Sequence, residues 1–248
     1  MTRREQKTSC MLAKAFSRTE LVAPARPYDE YPRLRRGESR VSEELVAAYD
    51  PFGAPAEALR AVRGELLLRW LDQQPARRAL AILSAQRKDG RSFVTANLAV
   101  AFAQIGVRTL IVDADLRSGR QHQLFGVDNA AGLSTVLAER ATPHEVLQHP
   151  LPNLSLLPTG PLSVSPQDLF ARPAFAQLLP QLAAHADLVL LDTPPFGLAA
   201  DAQTIAVRAG AALIVVRRNS SRTWRVQGVS NAVLQAKCAI VGAVLNET

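Results

Sequence analysis

Cysteine is scarce in this chain, whose 248 residues include only Cys10 and Cys238. The two lie far apart and have no metal-binding neighbours, which argues against a disulfide scaffold and suits a reducing compartment. Long apolar runs are also missing, since no stretch approaches the roughly 18 residues that a membrane helix needs. Charged residues interrupt the N-terminal stretch where a signal peptide would lie. These absences predict a soluble cytoplasmic protein.

Acidic residues are in the minority, with 22 Asp and Glu against 29 Lys and Arg and a formal net charge of +7. Such an excess can indicate a nucleic-acid or acidic membrane partner. However, the basic residues are scattered, and no pattern of alternating aromatic and basic residues is present. No nucleic-acid partner is therefore expected. The hydrophobic share of 48% is enough for one α/β domain with a sizeable core.

The chain divides by pattern into a leader and one domain. In residues 1–45 the apolar residues recur at neither helix nor strand spacing. This stretch also carries several prolines and a basic cluster at 33–36, which predicts a flexible N-terminal leader. Residues 46–248 are predicted to form the domain. Its first helix is predicted over 57–74, because apolar residues recur there at helical spacing.

After that helix, short apolar strands alternate with helix-like segments. Near-continuous apolar runs are typical of parallel strands that are buried on both faces. The alternation predicts a doubly wound, mostly parallel sheet with helices on both faces, whose ligands lie at the carboxyl ends of its strands. The predicted strands are 80–83, 109–112, 154–157, 188–191, 213–216 and 240–245.

A phosphate-binding loop is indicated by residues 84–92, Ser-Ala-Gln-Arg-Lys-Asp-Gly-Arg-Ser. An apolar strand precedes it and an amphipathic stretch follows, so that loop N–H groups and a helix N-terminus can hold anionic phosphates. Gly90 and Ser92 hold their usual places, whereas Ala85 takes the first glycine position and Arg91 replaces the usual lysine. The expected fold class is therefore α/β and P-loop NTPase-like.

Two apolar strands deliver acids to the sheet edge where phosphates are expected. Asp113 and Asp115 follow one strand, and Asp192 follows another. Mg²⁺ prefers a few carboxylates together with phosphate oxygens, so Ser92, Asp113 and Asp192 are candidate metal residues. Asp113 and Asp115 share a face if the strand continues, and one could bind metal while the other orients or deprotonates a nucleophile. The alternative for each acid alone is that it caps the helix that follows.

Further motifs accompany the loop and the acids. They are Glu-x-x-Arg-x-x-Arg at 57–63, Asp-Ala-Asp-Leu-Arg at 113–117 and Asp-Thr-Pro-Pro at 192–195, with segments 97–101, 122–126, 132–134, 157–160 and 244–246. Together these segments resemble the bacterial tyrosine kinases of capsule and exopolysaccharide assembly, and among them the free-standing cytoplasmic subgroup. The resemblance covers about residues 55–246.

This resemblance implies an ATP- and Mg²⁺-dependent protein tyrosine kinase, an autokinase, that acts in exopolysaccharide chain-length control. It implies a transmembrane polysaccharide co-polymerase that holds the cytoplasmic chain at the inner membrane, and a phosphotyrosine phosphatase as a further partner. It also implies a ring-like homo-oligomer formed through Glu57, Arg60 and Arg63. The implied catalytic residues are Arg91, Asp113 and Asp115. The implied nucleotide-binding residues are Ala85, Lys88, Asp89, Gly90, Arg91, Ser92, Phe93 and Asn246.

The chain departs from the family pattern at three places. Arg91 replaces the loop lysine, although a guanidinium group also clamps phosphate well. Lys88 stands where the family usually has glycine, which reduces the freedom of the loop backbone. The family usually ends in a cluster of tyrosines, whereas no tyrosine follows Tyr49 here. Tyr28 or Tyr31 is then the expected site of any self-phosphorylation, because Tyr49 lies close to the first helix.

Two other functions remain open. A non-catalytic or weakly active nucleotide-binding adaptor would explain the altered loop and the missing tyrosine tail, although a scaffold has no need of three acids around phosphate. A partition- or division-site ATPase of the same fold would carry a second loop lysine five residues before the main one, and Gln86 occupies that position.

Overall fold

Seven strands form one sheet in the computed structural model, which describes residues 34–73, 78–163, 165–197 and 200–247. They are β1 (Ala79–Leu83), β2 (Thr109–Asp113), β3 (Gln148–Leu151), β4 (Leu154–Leu157), β5 (Leu188–Asp192), β6 (Ala211–Arg217) and β7 (Ala239–Asn246). Their spatial order is β3-β4-β2-β5-β1-β6-β7, with β3 antiparallel to β4 and all other neighbours parallel. Every residue of β1, β2 and β5 is buried, as a parallel sheet covered on both faces requires.

All six predicted strands are present, and their observed bounds differ from the predicted ones by at most two residues at either end. The prediction missed β3. Its four residues, Gln-His-Pro-Leu, contain one large apolar side chain and a proline, so they carry no strand pattern. β3 forms at the sheet edge through pairing with β4, where a proline is tolerated.

Helices cover both faces of the sheet. They are α1 (Val46–Tyr49), α2 (Ala54–Leu66), α3 (Arg91–Gln104), α4 (Gln121–Phe125), α5 (Leu133–Leu137), α6 (Pro143–Val146), α7 (Pro166–Ala171), α8 (Pro173–His185), α9 (Asp201–Ala209) and α10 (Thr223–Gln235). The helix predicted over 57–74 begins earlier, because Pro55 suits a first turn. It continues beyond α2 as a π-helical turn, Leu67–Leu71. No helix in the described ranges is long and apolar enough to cross a membrane.

Two apolar layers hold the helices against the sheet. On one face α3 contributes Val94, Leu98 and Phe102 to a cluster that includes residues of all the parallel strands. On the other face α8 and α9 pack through residues such as Phe175 and Ile205. This arrangement confirms the doubly wound, P-loop NTPase-like α/β fold.

The folded part of the chain begins before residue 46, the expected start of the domain. Val41 and Leu45 are buried in the apolar layer beside α3, and the Ser42 N–H donates to the carbonyl of Leu124. The Tyr49 hydroxyl donates to the carbonyl of Val41. Residues 34–45 are therefore packed against the domain. The remainder of the predicted leader, residues 1–33 with Tyr28 and Tyr31, lies outside the described residues.

Asn97 fastens this segment to α3. Its amide oxygen accepts from Ala47 N at 3.0 Å, and its amide nitrogen donates to the carbonyl of Glu44 at 3.0 Å. Asn97 is fully buried, so no solvent replaces a lost partner. We expect Asn97→Ala to lower the free energy of unfolding by about 1–3 kcal/mol, because it leaves the buried N–H of Ala47 unpaired.

Urea denaturation at neutral pH checks this expectation, with Asn231→Ala, at an exposed position of α10, as the matched control. The control should change stability by no more than about 0.5 kcal/mol. An equal loss in the two variants would contradict the role assigned to Asn97.

Candidate functional site

The carboxyl ends of β1, β2 and β5 meet at one edge of the sheet and bring the predicted site residues together. β5 lies between β1 and β2, and Asp113 of β2 is in register with Asp192 of β5. The phosphate loop leaves the end of β1 and leads into α3, which begins at Arg91. The loop and the acids, predicted separately from the sequence, therefore occupy one site.

The loop backbone adopts two left-handed positions. Gly90 has a φ of 97°, and an added Cβ there would collide with the side-chain amide of Asn246. That amide donates to the carbonyl of Asp89 at 3.2 Å, so the end of β7 contacts the loop as predicted for Asn246. Lys88 has a φ of 66°, a region that favours glycine. The lysine thus preserves the conformation of a glycine position at the cost of strain.

Side chains outside the loop hold it in place. The Asp89 carboxylate accepts from Gln86 N at 3.1 Å and from the Ser221 hydroxyl at 2.9 Å. Gln86 donates to Ser220, and Arg225 donates to Gln86 at 3.0 Å. Ser220 and Ser221, between β6 and α10, and Arg225, in the first turn of α10, therefore clamp the loop.

Arg91, at the position of the loop lysine, points into the protein. Its Nε donates to the carbonyl of Thr193 at 2.8 Å, and its Nη1 donates to the Ser84 hydroxyl. Its Nη2 lies 3.8 Å from the Asp115 carboxylate, and the side chain is 8% exposed. Most of its donors are therefore taken by the protein, and Nη2 is the part of the group with the most capacity left for a phosphate.

Asp113 and Asp192 form a buried pair that Gln121 bridges. Asp113 accepts from the backbone N of Gln121 at 2.9 Å, and Asp192 accepts from the Gln121 side-chain amide at 2.7 Å. Burial, together with the nearby charge of Asp192, raises the pKa of Asp113 well above its ordinary value. Burial also raises the pKa of Asp192, although Arg91 and the Ser92 hydroxyl oppose that shift.

This pair fits a divalent cation. One oxygen of each carboxylate, Asp113 Oδ1 and Asp192 Oδ1, is buried without a hydrogen-bond partner among the described residues. An added Cβ at Gly119 would collide with the Asp113 carboxylate, so glycine keeps that space open. Ser92 adds a hydroxyl beside Asp192. Two carboxylates and a hydroxyl match the preference of Mg²⁺, which takes few carboxylates and keeps phosphate and water oxygens.

Asp115 has a different environment from Asp113. Its carboxylate accepts from the backbone N of Arg117 and of Ser118 and from the Ser118 hydroxyl, at 3.0–3.2 Å. These bonds shape the turn after β2, whereas the next helix, α4, begins only at Gln121, whose N–H bonds Asp113 and not Asp115. Asp115 thus places negative charge beside Arg91, while Asp113 has the unpartnered oxygen.

Neither Gln121 nor the residues that clamp the loop could be predicted from the sequence. Gln121 lies eight residues beyond Asp113, outside any motif, and acts partly through its backbone N–H. Ser221 acts on Asp89 from the other side of the loop. Of the predicted nucleotide residues, Phe93 packs its ring against the apolar layer beside α3, so any contact with nucleotide there would be made by the backbone.

The residues predicted for self-association lie on α2, away from the loop. Arg63 donates to the carbonyl of Ala101 in α3 at 2.7 Å. Arg60 bonds Glu57 and the carbonyl of Pro51 within the same chain. The Glu57 side chain is 67% exposed. Glu57 therefore offers more surface to a neighbouring subunit than either arginine does.

The chain has the fold of P-loop nucleotide-binding proteins, and comparison with known proteins places it more narrowly. A family model described as "Cellulose biosynthesis protein BcsQ" matches residues 78–232. Tyrosine-protein kinase YwqD of Bacillus subtilis is 30% identical over 215 residues, which is 86% of this chain and 90% of YwqD. The chain belongs to the bacterial tyrosine-protein kinase family of P-loop proteins, and the BcsQ model matches the central part of its fold.

Solved structures agree with this placement. The kinase domain of Escherichia coli tyrosine kinase ETK has a TM-score of 0.79 at 29% identity, covering 100% of this chain and 95% of that domain. The septum site-determining protein MinD of Pyrococcus horikoshii, solved with Mg-ADP, has a TM-score of 0.60 at 28% identity. That likeness covers 68% of this chain. The kinase-domain likeness thus includes parts of the chain that the MinD likeness leaves out.

We expect Asp113→Asn to stabilise the protein in the absence of nucleotide and metal. The raised pKa means that folded Asp113 holds its proton above the ordinary value of 3.8. Below that value Asp113 is protonated in both the folded and the unfolded protein and costs no stability. As the pH rises through the raised pKa, the free energy of unfolding of the wild type falls, because the buried carboxyl must ionise. An amide does not titrate, so the advantage of the variant should grow as the pH rises from about 4.

Thermal unfolding across this pH range in a metal-chelating buffer checks the expectation. Each kcal/mol gained should appear as roughly 2–4 °C in melting temperature. Asp168→Asn, which removes a carboxylate from an exposed position of α7, is the control. The difference in melting temperature between this variant and the wild type should not change across the pH range. A variant that is less stable than wild type at neutral pH would rule out an uncompensated charge at Asp113.

Proposed function

We propose that this protein is an ATP- and Mg²⁺-dependent protein tyrosine kinase that regulates exopolysaccharide chain length. The observation that carries the proposal is the buried Asp113–Asp192 pair, which has one unpartnered oxygen on each carboxylate beside a phosphate loop. A purely structural role would satisfy those oxygens or replace the acids with apolar residues, since buried unpaired carboxylates are destabilising. The tyrosine-kinase names of its relatives support the choice of reaction.

In the proposed reaction the tyrosine oxygen bonds to the γ-phosphorus of ATP while the bond from that phosphorus to the β-phosphate oxygen breaks. ADP leaves, and the proton of the tyrosine hydroxyl passes to a carboxylate, for which Asp113 and Asp115 are the candidates. Loop N–H groups and the N-terminus of α3 hold the phosphates, and Arg91 supplies positive charge beside them. Positioning and charge stabilisation of this kind account for most of the rate in phosphoryl transfer.

Ser92, Asp113 and Asp192 are the residues that would hold Mg²⁺. When bound, the ion neutralises charge on phosphate oxygens. Gln121 orients both carboxylates, because one residue bonds both of them. The hydrogen bonds of Gln121 therefore fix the two acids relative to each other in the structure.

A nucleotide-binding adaptor without catalysis is the second candidate, and one observation favours it. Several Arg91 donors bond the protein itself, to Thr193, Ser84 and Gln86, whereas a flexible lysine could reach phosphate freely. A partition- or division-site ATPase is less well supported. Gln86 stands at the position of the second lysine and binds Ser220 and Arg225 of its own chain.

Substitution of Arg91 separates kinase from adaptor. We expect Arg91→Ala to lower tyrosine phosphorylation more than about a hundredfold, because the charge acts mainly in the transition state. Arg91→Lys should keep or raise activity. Purified protein is incubated with Mg²⁺-ATP, and phosphotyrosine and ADP release are measured together with ATP affinity. Wild-type turnover that equals that of Arg91→Ala, with ATP still bound by both proteins, would favour the adaptor.

We further propose the partners that the family resemblance implies. A transmembrane polysaccharide co-polymerase would hold the protein at the cytoplasmic face of the inner membrane, and a phosphotyrosine phosphatase would reverse the modification. Tyr28 or Tyr31 is the proposed site of self-phosphorylation. The half-buried Tyr49, whose hydroxyl bonds Val41, is poorly placed to enter a neighbour's site.

Self-association through α2 is also a proposal, and the exposure of Glu57 gives it a sharp test. Glu57→Arg should lower the oligomer mass, since it reverses the most exposed charge of the set. Glu65→Arg is the matched control, because Glu65 is a 60% exposed acid on the same helix. Light scattering with Mg²⁺-ATP present decides between them. An unchanged mass for Glu57→Arg, or an equal loss in both variants, would refute the proposed contact.

A further inference from the structure

The C-terminal part of the chain has no negative charge over a long stretch. Residues 202–246 contain no Asp or Glu and carry Arg208, Arg217, Arg218, Arg222, Arg225 and Lys237. Four of these six cations, Arg217, Arg218, Arg222 and Arg225, lie between the end of β6 and the first turn of α10. The positive charge of the stretch is therefore concentrated near the residues that hold the phosphate loop.

Folding places three of these cations beside two cations of the phosphate loop. We define the basic rim as Arg87 and Lys88 of the loop with Arg217, Arg222, Trp224 and Arg225. Arg87, Lys88, Arg222 and Arg225 are exposed, and the Trp224 side chain is among the exposed large hydrophobic groups at 61%. The exposed acid close by is Glu247, which is paired with Arg218 at 2.8 Å. Among the residues that the structure describes, none of the rim's cations is in an ion pair, so the rim presents concentrated positive charge.

Two members of the rim touch the phosphate loop itself. Arg217 donates to the carbonyl of Lys88 at 3.1 Å, and Arg225 donates to the Gln86 side chain at 3.0 Å. The Arg225 guanidinium also lies over the Trp224 ring, 5.1 Å from its centre. An anion bound on the rim would thus lie beside the loop that holds the transferable phosphate.

The shape of α10 favours a peptide over a bilayer as the bound anion. A helix that lies on a membrane needs a wide apolar face directed outward. The apolar face of α10, formed by Val226, Val229 and Val233, packs into the core instead. Its exposed first turn offers a single aromatic ring among cations, which suits an extended acidic segment with an apolar or aromatic side chain.

We propose that the basic rim binds an acidic, tyrosine-containing segment of the acceptor protein and so selects which tyrosine reaches the site. Carboxylates of the segment pair with Arg222 and its neighbours, and an apolar side chain packs on Trp224. The choice of a tyrosine acceptor rests on the proposed kinase function. The docking itself is measured by binding, without turnover.

Trp224 provides the readout, because Trp70, the other tryptophan, is buried. A short tyrosine-containing peptide rich in glutamate and free of tryptophan is titrated into the full-length protein, and tryptophan emission is followed. The same peptide with glutamine in place of glutamate is the neutral control. We expect binding of the acidic peptide alone, weakened strongly by salt, because the charges are exposed.

Arg222→Glu should weaken binding of the acidic peptide on the order of tenfold. Within the described part of the chain Arg222 makes no side-chain hydrogen bond or ion pair, so its replacement should leave the fold and ATP affinity intact. Arg208→Glu, an exposed cation of the same acid-free stretch on α9, is the matched control and should bind the peptide as wild type does.

Three results would overturn the proposal. They are equal binding of the acidic and glutamine peptides, equal weakening by Arg222→Glu and Arg208→Glu, and binding of phosphatidylserine vesicles but not of the acidic peptide. If the protein phosphorylates tyrosine without binding the acidic peptide, the kinase function stands and the docking surface fails. If it binds the peptide through Arg222 but transfers no phosphate, the docking surface stands and the kinase function fails.

Discussion

Asp113 and Asp192 are fully buried on neighbouring strands and receive hydrogen bonds from the same residue, Gln121. Burying two carboxylates together is unfavourable, and their raised pKa values express that cost. Other features of the site reduce the cost or depend on it. Arg91 brings a buried positive charge, Gly119 leaves space beside Asp113, and the parallel register sets the two acids opposite each other. The proposed binding of a cation at this sheet edge therefore depends first on the buried pair.

Much of the fold follows from local pattern. The apolar strands and the acids that end them were predictable, because parallel strands buried on both faces need continuous apolar residues and place their carboxyl ends together. The phosphate loop was predictable for the same reason, since its strand–loop–helix context is local. β3 was not, because its sequence has no apolar pattern and its pairing with β4 alone defines it.

The contacts that tune the site come from residues distant in sequence. Gln121 reaches Asp192 across 71 positions, and Ser221 reaches Asp89 across 132. No spacing rule in the sequence links such pairs, because they meet only after the sheet has formed. The inward orientation of the Arg91 side chain also depends on contacts that form only in the folded protein. These are its hydrogen bonds to the carbonyl of Thr193 and to the Ser84 hydroxyl.

One helix, α3, connects the phosphate loop with the α2 residues that the family resemblance implies for self-association. α3 starts at Arg91 in the phosphate loop, and its later part is bonded by Arg63 through the carbonyl of Ala101. At about 1.5 Å per residue, its 14 residues span roughly 21 Å of rigid backbone. Arg63 of α2 therefore bonds the same rigid helix whose first residue stands in the phosphate loop. In this way α3 fixes the distance between α2 and the loop.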